Sequence, residues 1–300
     1  MIEITGLTKQ FDKKRALDGL DLHVKKGSIY GLIGVNGSGK TTALKAAVGI
    51  LRPDEGEARM DGEPVYENRA LKARVGFIPD DLYFFGVYGL GECAAFYKRL
   101  YPNWNAERYA AMRERLGLPE RGRVTRFSKG MQKQAAFLLA MSAMPDYLIL
   151  DEPIDGLDPL VRKLVWKCIV DDVAARGMTV LVSSHNLREM EGICDSIGIL
   201  DGGKMLIERD LDELKSDIHK VQAAFPAGAP DEGRYEGLNV LHRETRGTVE
   251  LLIIRSPEET VRETIGAHSP LVFDMLPLSL EEIFIYELGG EHSALGNIIF

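Results

Sequence analysis

A chain of 300 residues, 45% of them hydrophobic and 27% charged, has room for one large domain or a large one and a small one, each with a packed core. A formal net charge of −8 and an isoelectric point near 5.4 supply no broad basic field, which argues against nucleic acid as a partner. Cys93, Cys168 and Cys194 are odd in number and widely spaced, which excludes a disulfide framework and a C-x-x-C metal site and leaves them as buried thiols.

The chain opens on strand-like Met1-Ile2-Glu3-Ile4, with no charged segment and apolar leader, and its longest weakly polar stretches, such as 135–144, are too short to span a bilayer. A cytosolic protein is expected. Residues 29–33 are an apolar run that reads as a buried strand. Directly after it, Gly34-Val35-Asn36-Gly37-Ser38-Gly39-Lys40-Thr41-Thr42 fits the phosphate-loop pattern G-x-x-x-x-G-K-[ST]. The glycines let successive N–H groups turn toward one point, Lys40 adds a charge for the β/γ-phosphates, and Thr41 offers a hydroxyl to Mg²⁺. Residues 42–49 supply the helix whose positive end faces the phosphates. This is a nucleoside triphosphate site.

Residues 75–79 read as another buried strand, followed by Asp80. The aromatic-rich stretch 83–109 and a helix from about Ser128 make the next connection too long for a simple crossover, so a separate helical lobe is expected. Phe96, Tyr97, Leu100 and Tyr101 recur at helical spacing as its core, whereas Tyr83-Phe84-Phe85 with Tyr88 suits either a core or an exposed docking groove. In Phe127-Ser128-Lys129-Gly130-Met131-Gln132, Ser128 reads as an N-cap beside N–H groups free to meet an anion.

Tyr147-Leu148-Ile149-Leu150-Asp151-Glu152-Pro153 reads as an apolar strand that ends in two adjacent carboxylates. Alternation sends them in different directions, so Asp151 suits a Mg²⁺-bound water while Glu152 suits orienting or deprotonating the attacking water. After the strand 179–183, Ser183-Ser184-His185 places an imidazole at the edge where parallel sheets bind ligands, positioned for the γ-phosphate and the water. A last strand, 197–200, completes the alternation of strands and helices. Beyond Leu214, the Pro-, Gly- and charge-rich stretch 225–237 reads as a linker. A small unit follows, with a hairpin of 240–245 and 249–254 across Arg246-Gly247, a helix 257–265, a strand 271–276 and a closing helix 280–288.

Taken in order, the phosphate loop, the Ser128 helix start, the Asp151-Glu152 pair, Gly156-Leu157-Asp158 and His185 closely resemble the ATP-binding subunit of ABC transporters over about the first 215 residues. The resemblance implies an α/β P-loop NTPase with a mixed, largely parallel sheet and an inserted helical subdomain at about 81–145, and the change of composition sets a domain boundary at 217/218 before a small C-terminal α+β domain. It implies an ATPase using ATP and Mg²⁺, with Lys40, Glu152 and His185 in catalysis and Thr41, Asp151 and Asp80 at the metal. Gly34, Asn36, Gly37, Ser38, Gly39, Lys40, Thr41 and Thr42 would bind the nucleotide.

It further implies a head-to-tail dimer with a second copy or a homologous subunit, in which Ser128 and Gly130 of one subunit close over ATP held by the other. Asp158 matches the aspartate that crosses that interface. Phe11 matches the aromatic that stacks on adenine, against the alternative of a core residue on an edge strand. Two departures stand out: Lys129 and Met131 interrupt the family's Leu-Ser-Gly-Gly-Gln signature, and Asp80 replaces its metal-contacting glutamine.

These departures, and Pro277-Leu278-Ser279-Leu280-Glu281-Glu282-Ile283-Phe284, resemble the bacterial exporter branch, whose ATPase subunits pair with separate integral membrane permeases at the cytoplasmic face of the membrane. A soluble ATPase of this family acting on ribosomes or DNA competes with that reading, but the chain has one phosphate loop and no heptad run. A regulatory nucleotide-binding module with low turnover is the other competitor. Glu152 and His185 oppose it.

Overall fold

The computed structural model describes residues 1–226 and 233–287, and the chain divides into two compact units: residues 1–185 with 193–208, and 186–192 with the described residues from 209 onward. The first unit begins with a hairpin, β1 (Ile2–Phe11) and β2 (Lys14–Val24), paired antiparallel from Ile2 opposite Val24 to Phe11 opposite Lys14. Next come β3 (Ile29–Ile33), α1 (Lys40–Ala47), β4 (Glu55–Met60), β5 (Glu63–Pro64), the short α2 (Arg69–Lys72) and β6 (Val75–Ile78). The antiparallel sheet runs β2-β1-β4-β5. Its inward residues Ile2, Ile4, Leu20 and Leu22 share a core with Leu44 of α1 and with Tyr30 and Leu32 of β3.

The helical lobe holds α3 (Leu90–Leu100), α4 (Ala106–Arg115) and α5 (Lys129–Ser142) around its own core of Leu90, Val124, Leu138 and Leu139. Tyr97 packs against that core, whereas Phe96 and Leu100, expected in it, are exposed on the outer face of α3. The lobe is followed by β7 (Tyr147–Asp151), α6 (Pro159–Arg176), β8 (Thr179–Ser184), α7 (Leu187–Glu191), β9 (Ser196–Asp201) and β10 (Lys204–Asp210). Arg108 of α4 grips the buried Asp172 of α6 with two bonds of 2.8 Å, a paired geometry that suits a desolvated carboxylate.

The central sheet has the order β10-β9-β3-β8-β7-β6. Strands β9, β3, β8, β7 and β6 run parallel, with Ile33 opposite Ser184 and Asp151 opposite Ser183. All five residues of β3 and of β7 are buried, as expected for strands covered on both faces. Parallel strands share one C-terminal edge, so the segments after β3, β6, β7 and β8 emerge together there.

In the second unit, α8 (Leu211–Asp217) leads into an antiparallel sheet of order β12-β13-β11-β14, built from β11 (Ile218–Ala224), β12 (Asn239–Arg246), β13 (Val249–Arg255) and β14 (Val272–Leu276). Helix α9 (Glu258–Gly266) packs Val261 and Ile265 into its core. Helix α10 (Leu280–Glu287) meets α7, where Arg188 bonds Glu281 at 2.8–2.9 Å. The unit therefore includes the short helix immediately after His185. Leu288, the expected last residue of the closing helix, lies outside the described residues.

At the amino terminus, the Tyr147 hydroxyl and then the Met1 ammonium hold the Asp61 carboxyl down to about 2. Its ordinary value is higher, so this contact stabilises the fold at neutral pH and is lost as pH falls through 3.8 toward 2. Tyr147→Phe should therefore reduce the drop in melting temperature between about pH 6 and pH 2. An unchanged drop in a thermal melt series would count against the hydroxyl as the cause.

Candidate functional site

The phosphate loop leaves β3 at Gly34 and closes with the Ser38 N–H donating to the Val35 carbonyl at 3.1 Å before α1 begins at Lys40. Two glycines are required by close approach. A Cβ on Gly34 would lie 2.4 Å from the Leu200 carbonyl oxygen, and one on Gly39 would lie 2.6 Å from that of Ala16, at a φ of +115°. The loop is thus seated against β9 and β2 with no room for a side chain at either end.

Lys40 is 6% exposed and lies beneath the loop. Its Nζ donates to the Gly34 carbonyl at 2.5 Å and the Val35 carbonyl at 3.3 Å, and lies 3.4 Å from Glu152 Oε1. Asn36, Gly37, Gly39, Lys40, Thr41 and Thr42 line an open cleft of about 300 Å³ together with Phe11, Asp80 and Glu152. Ser38 instead turns inward, its Oγ buried without a hydrogen-bond partner among the described residues. Phe11 is 44% exposed at the end of β1, which removes the core reading, and the Lys9 ammonium sits 5.6 Å from its ring.

Glu152 follows β7 with a φ of +45°, a left-handed conformation that costs a non-glycine residue about 1–3 kcal/mol and persists only where its surroundings impose it. Its N–H donates to Ser183 Oγ at 3.1 Å, and that hydroxyl donates to Asp151 Oδ1 at 2.6 Å. One serine on β8 thereby sets both carboxylates. Asp151 Oδ2 is buried with no hydrogen-bond partner among the described residues. The Glu152 carboxylate lies between two side chains, Lys40 at 3.4 Å from Oε1 and His185 Nδ1 at 3.0 Å from Oε2. Asp155 Oδ2 is 4.0 Å from the same imidazole nitrogen, so Glu152, Asp155 and His185 converge.

The expected residues Ser128, Gly130 and Asp158 do not line this cleft. Ser128 caps α5 by accepting from the Met131 N–H at 3.2 Å, and Gly130 faces the Gly156 carbonyl, 3.3 Å from where its Cβ would be. Asp158 caps α6, accepting from the N–H groups of Leu160 and Val161. Asp80 lines the cleft but is ion-paired at 3.3 Å with Lys133 of α5. Sequence reasoning passed over Ser183 and Asp155. The signal for Ser183 was its register opposite Asp151, which only the sheet pairing reveals.

The arrangement can hold a phosphate chain in the loop and present a carboxylate and an imidazole to a water at its end. A profile of the ABC transporter family matches residues 17–155. The ABC transporter ATP-binding protein YtrB of Bacillus subtilis (strain 168) is 32% identical over 97% of this chain and 99% of its own length. The bacitracin transport ATP-binding protein BcrA of Bacillus licheniformis is 33% identical over 73% of each chain. A solved dimeric ATP-binding cassette in a post-hydrolysis state, bound to ADP and Pi, shares the fold with a TM-score of 0.64 over 70% of this chain and 99% of its own, at 20% identity. With a relative matched over nearly the full length of both chains, this protein belongs to the ABC transporter family, as an ATP-binding and ATP-hydrolysing subunit.

Proposed function

We propose that the chain powers export through a separate integral membrane permease, as one half of a head-to-tail ATPase dimer at the cytoplasmic face of the membrane. The observation that carries this reading is the division of the site: the phosphate loop and Glu152 line one cleft, with His185 bonded to Glu152, while Ser128 and Gly130 lie outside that cleft at the start of α5. A second cassette, a copy or a homologue, brings its own α5 start to the cleft. ATP then bridges the two subunits, and loss of the γ-phosphate releases them.

Within one subunit, Lys40 and the loop N–H groups hold the β- and γ-phosphates, and Phe11 offers an exposed ring to adenine. Glu152 takes a proton from the attacking water, with His185 holding the opposite side of its carboxylate. The Asp151 oxygen without a hydrogen-bond partner among the described residues and the Thr41 hydroxyl fit Mg²⁺, which neutralises phosphate charge when bound. Asp80 is not needed as a ligand in this reading, because Lys133 occupies it.

The permease reading draws on the printed roles of relatives such as the bacitracin transport protein, and on an aromatic surface beside Asp80. Tyr83 is 84% exposed, and Phe85 packs edge-on against both Tyr83 and Phe96 on the same face. Such rings suit a helix presented by a membrane partner. No helix among the described residues is long and apolar enough to cross a membrane, so the pathway itself is assigned to that partner. Affinity purification of the tagged chain from detergent-solubilised membranes should recover a multi-span protein, and Tyr83→Ala with Phe85→Ala should reduce that recovery. Ribosomes in place of a membrane protein would overturn the reading.

A further inference from the structure

Lys133 lies in the second turn of α5, with only 13% of its side chain exposed. Its Nζ donates to the Glu152 carbonyl oxygen at 2.8 Å and to Asp80 Oδ1 at 3.3 Å. One ammonium group thus joins three elements of the first unit: the helix that carries the signature serine, the residue after β7 and the segment after β6. The Glu152 main chain is held from both ends, its N–H by Ser183 and its carbonyl by Lys133. Both contacts fall on the main chain of a non-glycine residue at a φ of +45°.

The two acceptors of Lys133 differ. The Glu152 carbonyl is a neutral group in a tightly packed turn, whereas Asp80 carries a charge on a side chain that is 57% exposed. Withdrawing Asp80 would leave a largely buried ammonium with a single neutral acceptor, which weakens its hold on the turn. We propose that Lys133 is a positioning residue that sets the main chain of Glu152 and makes its orientation answer to the position of Asp80. The proposal rests on Glu152 activating the attacking water. It assigns Asp80 a role through a side-chain partner in place of the metal contact first expected for it.

Steady-state ATP hydrolysis by the full chain tests this, with kcat and KM measured separately. Lys133→Met should lower kcat about 10- to 100-fold, the scale of a misplaced catalytic group, with KM for ATP within about twofold of the parent. Lys133→Arg, which keeps a cation with several donors, should recover most of the loss. On a Glu152→Gln background Lys133→Met should cost nothing further, because the two changes remove one function. Asp80→Asn combined with Lys133→Met should likewise be no slower than Lys133→Met alone.

Unchanged kcat in Lys133→Met, beside an inactive Glu152→Gln, overturns the role of Lys133 and leaves the base assignment standing. Full turnover in Glu152→Gln overturns the base assignment itself. Where Lys133→Met does not fold, Lys133→Gln retains one N–H donor for the carbonyl and is judged by the same split between kcat and KM. Additive losses in the double variants also overturn the proposal.

Discussion

Glu152→Gln should lower ATP turnover by about 10²–10⁴ while leaving nucleotide binding intact, since an amide cannot accept the proton of the attacking water. The amide keeps the shape of the carboxylate and its reach to His185 Nδ1, now 3.0 Å away. It also removes the negative charge 3.4 Å from Lys40, so the ammonium is less neutralised by its own chain and phosphate affinity holds or rises. ATP added to this variant should shift the chain from monomer to a lasting dimer in size-exclusion chromatography. Hydrolysis at the parent rate would remove Glu152 from the role of base.

Lys40→Ala acts at the opposite end of the same ion pair, and its effect should fall on binding as well as turnover. Removing one donor aimed at developing phosphate charge costs about 10²–10³ in rate by analogy with other oxyanion sites. Here the loss is compounded, because the 6%-exposed Lys40 also bonds the Gly34 and Val35 carbonyls and leaves the buried Glu152 Oε1 with no cation. ATP titration by fluorescence or calorimetry should show weakened binding, and steady turnover should disappear. Retained turnover in Lys40→Ala would place hydrolysis at some other site or in a contaminant.

The parts of the site that could be read in the sequence are those whose chemistry is local. The phosphate loop and the Asp151-Glu152 pair are runs of adjacent residues, so spacing alone conveys their geometry. Ser183 could not be read in that way, because its bond to Asp151 depends on β7 and β8 pairing in register 32 residues apart. The same holds for Lys133, which reaches Glu152 across 19 residues and Asp80 across 53.

At the level of the fold, the parallel strands were visible as short continuous apolar runs bounded by turns. The antiparallel sheet was visible only at Met1 to Ile4. Irregular register between Ile4 and Leu7 and again toward Gln10 breaks the alternation that would mark β1 as one long strand. The exposed Phe96 and Leu100 show a different limit: helical spacing identifies a stripe, but whether that stripe faces a core or a partner is decided by neighbouring elements.

The polypeptide passes between the two units at 185/186, at 192/193 and at 208/209, so the second unit is not an appendage joined by a single tether. Cutting after residue 208 would strand α7 on the catalytic fragment. Arg188, bound to Glu281, would lose the α10 helix that it meets in the second unit. A truncated chain would therefore carry, immediately after His185 in sequence, a helix deprived of its α10 contact. Its behaviour would report on that damage as much as on the missing unit, which makes point substitutions in the second unit the sounder way to learn what it contributes.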